Sequence, residues 1–501
     1  MSSYIGITIG PIIGTMALTS TPAGLWAASY LFSELSKQIC KKLREKNCAI
    51  ISPYFEDITL GVGLFPDRII LEQGNATPEG LQPLFDAAIV EVAGLLSMNK
   101  ANKAALEDYL RDYIQVHAIA FETNENPIEY SKNFLAAAEL ERRFASSIAE
   151  DRLLSQFEWR DKQEEESKSS HIKGSKLVKD LEARGLWPLS DEKYAHRIRD
   201  LADISSNGLA TYDSTKEEYS FKKTPWKKHR YYAVIQADGD NVGTRISALP
   251  TNKKIEEFST ACWEYSRRAE EIVRNFGGVP IYVGGDDLLA LVPVENADKQ
   301  NLFTLLSDLR SAFNCKFKNF PAGEEEEPLA LSFGVAIQYY KFPLYESLTQ
   351  ARKLLFEQAK EVKIGDKKVK NSIALRLQKH SGQSVELVFS GGQSELLTKL
   401  AAQIDALPKT KEESDKTSLL LHAIMTHLRT QKQVFATALE QDALTNAFKN
   451  VLRDSYAKQP ETIKAAQALL ELCKDCEKPL DMTDQLLRLV KFFVEEGDDR
   501  A

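Results

Sequence analysis

Between Val279 and Leu291 the chain reads Val-Pro-Ile-Tyr-Val-Gly-Gly-Asp-Asp-Leu-Leu-Ala-Leu, two short apolar runs separated by a glycine pair and two adjacent carboxylates. Apolar runs of this length, bounded by Gly and Asp, fit paired strands better than a helix. The spacing predicts a hairpin in which Gly284 and Gly285 make the turn and let an anion approach, with Asp286 and Asp287 at its tip. Neighbouring carboxylates on a connection repel each other unless cations or water neutralise them, and their hard oxygens suit Mg²⁺ or Mn²⁺. An ordinary solvated hairpin tip would read the same in isolation, so the flanking segments decide.

Upstream, Tyr231-Tyr232-Ala233-Val234-Ile235-Gln236-Ala237 reads as a strand that runs into Asp238-Gly239-Asp240-Asn241-Val242-Gly243 and then a helix. If this strand lies beside the hairpin, Asp238 converges with Asp286 and Asp287. Three such carboxylates can hold two divalent ions, which clamp a triphosphate and acidify an attacking hydroxyl. Gly239 and Gly243, with Asp240 and Asn241 between and beside them, are expected to shape a loop whose N–H groups face phosphates at the start of the helix. A helix-capping turn is the plainer reading of the same residues.

Downstream, Leu329 to Ile337 reads as another strand, followed by a segment from Pro343 to Lys360 in which Leu348, Ala351, Leu355 and Ala359 fall at helical spacing. Lys360 ends that helix, where it can reach a triphosphate or simply complement the helix dipole. Asn371 to Leu377 supplies a further strand. The order β-α-β-β-α-β over about 231–378 is the ferredoxin-like split motif.

Taken together, Ala237 to Gly243, Gly284 to Asp287, Leu331 to Ile337 and Ala359-Lys360 resemble the palm of the large subunit of type III CRISPR effector complexes, most closely the Cmr type. The likeness extends to Ile5–Ile12, Ala23–Leu31 and Leu64-Phe65-Pro66-Asp67-Arg68, which are similar to the family's first palm-like domain. The resemblance implies an α+β fold with two ferredoxin-like, nucleotide-cyclase-like palms, a helical insert and a C-terminal helical bundle. The expected division is 1–125 for a first palm, 126–228 for a helical domain with a charged linker, 229–383 for the catalytic palm and 384–501 for the bundle. No acidic strand-end pair occurs between residues 1 and 125, so the first palm is expected to be catalytically silent.

The resemblance also implies a function: an RNA-activated nucleotidyltransferase that uses ATP to make a cyclic oligoadenylate-type messenger. Asp238, Asp286 and Asp287 would hold two Mg²⁺ or Mn²⁺ ions. Gly239, Asp240, Asn241 and Gly243 would shape the phosphate loop, Gly284 and Gly285 the turn, and Ser332 and Lys360 the nucleotide pocket. Partners would be the other subunits of the ribonucleoprotein, guide RNA and target RNA. Three alternatives stay open: AMP transfer to S-adenosylmethionine as a second substrate, a diguanylate-type cyclase, and a scaffold without chemistry. No histidine is followed by Asp, so the family's His-Asp nuclease is not expected.

Composition narrows the rest. A chain of 501 residues, 43% of them hydrophobic, suffices for three or four domains, and a net charge of −8 argues against a broad basic surface that grips nucleic acid alone. A local basic and aromatic run, Lys222 to Tyr232, could meet phosphates and bases or serve as a solvated linker. Cys473 and Cys476 form one Cys-x-x-Cys with no second half-site, so structural zinc is not expected. A helical pattern over 128–165, a charged linker over 161–170 and helical periodicity near 194–198 ending at Asn207-Gly208 lie between the palms. Amphipathic segments 391–405, 414–431, 434–454, 460–473 and 482–496 compose the bundle. No signal peptide and no bilayer-length apolar run is apparent, and a cytoplasmic location is expected.

Overall fold

The computed structural model describes residues 1–17, 19, 21–58, 61–97, 100–140, 200–213, 218–223, 226–321, 327–364, 367–389, 396–407, 411–474 and 478–495. The expected linker at 161–170, the periodicity at 194–198, most of the helical pattern at 128–165, residues 391–395, Thr224, Pro225 and Cys476 lie outside them.

The first sheet is built from β1 (Ser2–Gly10), β2 (Ile50–Ser52), β3 (Arg68–Glu72) and β4 (Gln115–Thr123) in the order β2-β3-β1-β4, all antiparallel. This is the ferredoxin-like arrangement. Its first crossover is α1 (Pro22–Glu45), started by Thr21, whose side chain accepts from the Gly24 N–H at 3.1 Å, with Pro22 at the first helical position. α2 (Pro78–Leu96) and α3 (Lys100–Tyr113) form the second crossover, and α4 (Pro127–Ala138) follows β4. Nearly every residue of α1 from Pro22 to Cys40 is buried, because the helix packs on α2 and also on the second sheet.

The second sheet has six strands: β5 (Tyr231–Asp240), β6 (Val279–Gly284), β7 (Asp287–Pro293), β8 (Ala330–Tyr339), β9 (Ile373–Gln378) and β10 (Ser384–Phe389), ordered β10-β9-β8-β5-β7-β6. Its ferredoxin core is β8-β5-β7-β6. The helices α5 (Val242–Ser247) and α6 (Asn252–Asn275) join β5 to β6, and α7 (Leu302–Phe317) joins β7 to β8. The Pro343–Lys360 segment expected to close the split motif instead follows it, as α8 (Leu344–Lys353), a π turn (Leu354–Gln358) and a 3₁₀ turn (Ala359–Glu361) leading to the parallel partner β9. Residues 384–389, expected to open the helical bundle, are a strand paired antiparallel with β9. Val385, Leu387 and Phe389 alternate inward there, a period of two that no helix would give.

The C-terminal helices are α9 (Leu396–Asp405), α10 (Lys411–Thr430), α11 (Lys432–Glu440), α12 (Leu444–Lys458), α13 (Pro460–Leu472) and α14 (Pro479–Val494). The single helix expected over 434–454 is two, because Asp442 adopts a left-handed φ of 52° that an α-helix cannot continue through. α14 docks on the palm through Phe492 against Tyr231, ring centres 4.9 Å apart. One contiguous apolar core runs through both palms and these helices, and each large side chain buried in it stabilises by roughly 1.5–3 kcal/mol. Among the described residues no helix is long and apolar enough to cross a membrane.

Candidate active site

Register brings the carboxylates together. β5 and β7 pair from Tyr232 with Pro293 to Ala237 with Leu288. Continued one step outward, the same register sets Asp238 beside Asp287, and a further step sets Gly239 beside Asp286. The hairpin turn has the geometry its sequence predicts: Gly284 pairs with Asp287, and Gly285 carries a φ of 69°. A positive φ at the first central residue alone is the type II′ pattern, which favours Gly there. From below, Ser266 Oγ on α6 donates to the Gly285 carbonyl at 3.3 Å, and Tyr265 is fully buried beside it.

Gly239 is needed for contact rather than conformation. A Cβ there would stand 2.6 Å from Asp286 Oδ2 and 2.6 Å from Val242 Cγ2. Gly243, by contrast, has nothing within 4 Å of a built Cβ, so its side faces open space. The helix that contains it, α5, has only six residues and its cap Asn241 makes no side-chain capping bond, so the expected phosphate-facing helix terminus is a weak dipole.

The electrostatics are those of crowded acids. Burial, and then the charge of Asp238, raise the Asp286 carboxyl from 3.8 to about 7. Burial and the charges of Asp286 and Asp238, with a hydrogen bond to Asp238, raise Asp287 as well. The open solvent-facing edge of Asp287 limits how far that rise goes. Groups that hold protons this strongly are poised to exchange them for a cation.

Ser332 and Asp240, expected in a nucleotide pocket and a phosphate loop, are instead interior. Both are essentially inaccessible to solvent. Ser332 lies opposite Asp238 on β8 and its Oγ donates to Asp240 Oδ2 at 2.6 Å, while the Asn371 backbone N–H donates to the same oxygen at 2.7 Å. The Ser372 N–H in turn donates to Ser332 Oγ at 3.1 Å. These residues brace the end of β5. Asp240 Oδ1 is buried and accepts no hydrogen bond.

Lys360 reaches the site, but its partner is a carboxylate. Its Nζ bonds Asp238 Oδ2 and donates to the Gly239 carbonyl at 3.3 Å. Gly334 makes this possible: a Cβ there would run into the Ala351 carbonyl and stand 2.5 Å from Leu355 N, so only glycine lets the helix lie directly on β8. The π turn over Leu354–Gln358 then sets the phase of the chain so that Lys360 overhangs Asp238.

Asn371 and Gly334 are absent from the sequence-derived site, although a glycine in the middle of an apolar strand is itself a signal of close backbone approach. A cavity of about 610 Å³ adjoins the site at Asn241 and Asn371 and extends along Phe317, Phe320, Leu329 and Lys370, with the three carboxylates outside it. Neither Ser332 nor Lys360 lines it. Lys370 Nζ bonds Asn241 Oδ1 at its edge.

The donor set fits a hard divalent cation: three converging carboxylates, two of them, Asp286 and Asp287, with raised proton affinity, next to one buried oxygen that accepts no hydrogen bond. Among the described residues, no three acids, histidines or cysteines already stand in a ligand arrangement. Among its described residues the first palm brings no such cluster, but it holds the hairpin: the Val283 N–H donates to the Gly63 carbonyl at 2.9 Å.

Comparison with known proteins agrees with this geometry. Residues 231–374 match the family described as Cas10/Cmr2, second palm domain. The CRISPR system Cmr subunit Cmr2 of Pyrococcus furiosus is 30% identical over 199 residues, which cover 34% of this chain and 21% of that protein. The match therefore spans about a fifth of the curated relative. A crystal structure of a Csm1-Csm4 cassette in complex with AMPPNP superposes with a TM-score of 0.50 at 14% identity, covering 98% of this chain and 70% of that one. The apo state of a type III-B Cmr-beta complex covers 85% of this chain and 75% of its own, at 14% identity and a TM-score of 0.48. Residues 231–374 are therefore similar to the Cas10/Cmr2 second palm domain, and about a third of the chain is similar to the Cmr2 subunit of a Cmr-type CRISPR system.

Proposed function

We propose that this chain is the nucleotidyltransferase subunit of a type III CRISPR complex, activated by target RNA, which joins the 3′-hydroxyl of one adenylate to the α-phosphate of ATP. Pyrophosphate leaves, and repeated transfer followed by closure gives a cyclic oligoadenylate-type messenger. The observation that carries this reading is the convergence of Asp238, Asp286 and Asp287 at one end of the central palm strands, where burial and the neighbouring charges raise the proton affinity of Asp286 and Asp287. A scaffold has no use for such crowding, which costs stability.

Asp238, Asp286 and Asp287 would hold two Mg²⁺ or Mn²⁺ ions, which supply charge neutralisation at the triphosphate and acidify the attacking hydroxyl. The chain's own contribution is positional. Gly239 leaves room for Asp286, and Gly285 turns the hairpin so that both acids face Asp238. Asp240, braced by Ser332 and Asn371, fixes the end of β5. Lys360 offers an ammonium at the mouth of the cluster. The cavity beside Asn241 is of nucleotide size and offers apolar walls with Lys370 at its rim.

The AMPPNP in the Csm1-Csm4 relative supports an ATP-like substrate, and that relative's Csm4, with the Cmr membership of the curated one, supports partner subunits. The test is to supply the chain, in its co-purified complex with target RNA, with ATP, Mg²⁺ and S-adenosylmethionine, and to identify products by mass spectrometry. Adenylate oligomers that vanish in Asp286→Ala/Asp287→Ala are expected. An adenylated S-adenosylmethionine would replace the messenger in this account. No product from an intact RNA-bound complex would leave the scaffold reading.

A further inference from the structure

The cluster contains a cation of its own. Lys360 Nζ bonds Asp238 Oδ2 and also lies 3.7 Å from Asp240 Oδ1. Asp240 is 1% exposed; its Oδ2 is doubly satisfied by Ser332 Oγ and the Asn371 N–H, whereas Oδ1 is buried and accepts no hydrogen bond. A buried carboxylate oxygen without a partner is costly, and a fold keeps one where something can reach it. The group in reach is the ammonium of Lys360. From 3.7 Å, a movement of about 1 Å brings it to charge-assisted hydrogen-bond distance. A lysine stem permits that easily, and here it leaves a 3₁₀ turn that follows a π turn, where the helical ladder is already broken.

Asp238 cannot serve both cations with the same oxygen. Its register position beside Asp287 makes it the carboxylate that a divalent ion and Lys360 both require. We infer that Lys360 is a two-position resident cation: it neutralises Asp238 in the metal-free chain and transfers to Asp240 Oδ1 when a divalent cation takes Asp238, with Asp240 as the positioning residue that receives it. The inference rests on the proposed role of Asp238 as a metal ligand. Its consequence is that the cluster stays compact without metal, and that the ammonium leaves the metal position without leaving the mouth of the site, where a triphosphate arrives.

Mn²⁺ binding to the full chain without nucleotide, followed by calorimetry and electron paramagnetic resonance, tests it in four proteins: wild type, Lys360→Met, Asp240→Asn and the double variant. Lys360→Met removes the competitor and is expected to tighten Mn²⁺ by about tenfold, the scale of a partly buried ion pair. Asp240→Asn is expected to weaken Mn²⁺ by about tenfold while Lys360 is present, because the ammonium then has nowhere to go. In the Lys360→Met background the same change is expected to cost less than about twofold. A purely through-space effect of charge gives equal factors in both backgrounds, and that additivity would overturn the transfer while leaving the metal reading intact. Absence of Mn²⁺ binding from all four proteins would overturn both. If Asp240→Asn does not fold, a structure of the Mn²⁺-loaded wild type decides: Lys360 Nζ on Asp240 Oδ1 supports the transfer, and Lys360 still on Asp238 refutes it.

Discussion

Replacing Gly239 by alanine puts a methyl group where the hairpin tip already sits. The new carbon would stand 2.6 Å from Asp286 Oδ2, 2.6 Å from Val242 Cγ2 and 2.7 Å from Asp286 Cβ. Ordinary contacts between such atoms are about 3.5 Å or more, so Asp286 must retreat by about 1 Å. Gly239 does not use the left-handed region, so the effect is one of contact and not of backbone strain. Overpacking of this kind costs about 1–3 kcal/mol. The functional cost is larger, because a misplacement of about 1 Å in a positioned group lowers a rate by about 100-fold. The assay is ATP turnover by the RNA-loaded complex, with kcat and KM separated, beside the melting temperature and Mn²⁺ affinity of the chain. We expect kcat to fall about 100-fold with a modest loss of melting temperature. A Gly239→Ala protein with wild-type kcat and Mn²⁺ affinity would refute the claim that Asp286 must sit against Gly239 to act.

Other outcomes follow from neighbouring residues. Gly243→Ala meets nothing in the free chain, so its melting temperature should be unchanged, and only the KM for ATP should rise if a phosphate uses that open face. Gly334→Ala collides with the backbone of the helix over it and should destabilise by about 3 kcal/mol or more, measured by denaturant unfolding. Tyr265 Oη is buried without a hydrogen-bond partner, so Tyr265→Phe should keep or slightly raise the melting temperature. The Asp286 carboxyl, raised to about 7 by burial and Asp238, binds in the folded state a proton that the unfolded chain releases near 3.8. Its contribution to stability is therefore complete below about pH 4 and is lost as pH rises through about 7, amounting to a few kcal/mol at about 1.4 kcal/mol per tenfold in proton affinity. The metal-free chain should accordingly lose melting temperature between about pH 4 and 7. Asp286→Asn should abolish that part of the loss while weakening Mn²⁺ binding.

The hairpin was legible because its information is local: two glycines, two acids and flanking apolar runs specify a turn wherever the fold places it. The meeting of Asp238 with Asp287 was legible only conditionally, since it depends on β5 lying next to β7, a pairing across about fifty residues. Ser332 was misplaced for a related reason. A strand serine faces cleft or interior according to what covers its face, and here Asp240, Asn371 and the overlying helix close it off. The helix α7 went unnamed although Asn301 caps it and Leu302, Leu305, Leu306 and Leu309 fall at helical spacing. That signal was available. The bond from Lys360 to Asp238 was not, because it is set by the contact of Gly334 with Ala351 and Leu355 and by the phase of a π turn.

The central claim is that cations held by Asp238, Asp286 and Asp287 act on the α-phosphate of ATP. It is tested most directly by replacing one non-bridging α-oxygen with sulfur, in each diastereomer, and measuring turnover by the RNA-loaded complex in Mg²⁺ and in Mn²⁺. Sulfur binds Mg²⁺ poorly and the softer Mn²⁺ better. The account predicts that one diastereomer is slow with Mg²⁺ and recovers with Mn²⁺, and that no recovery occurs in Asp286→Ala/Asp287→Ala. The same sulfur effect with either metal would contradict it.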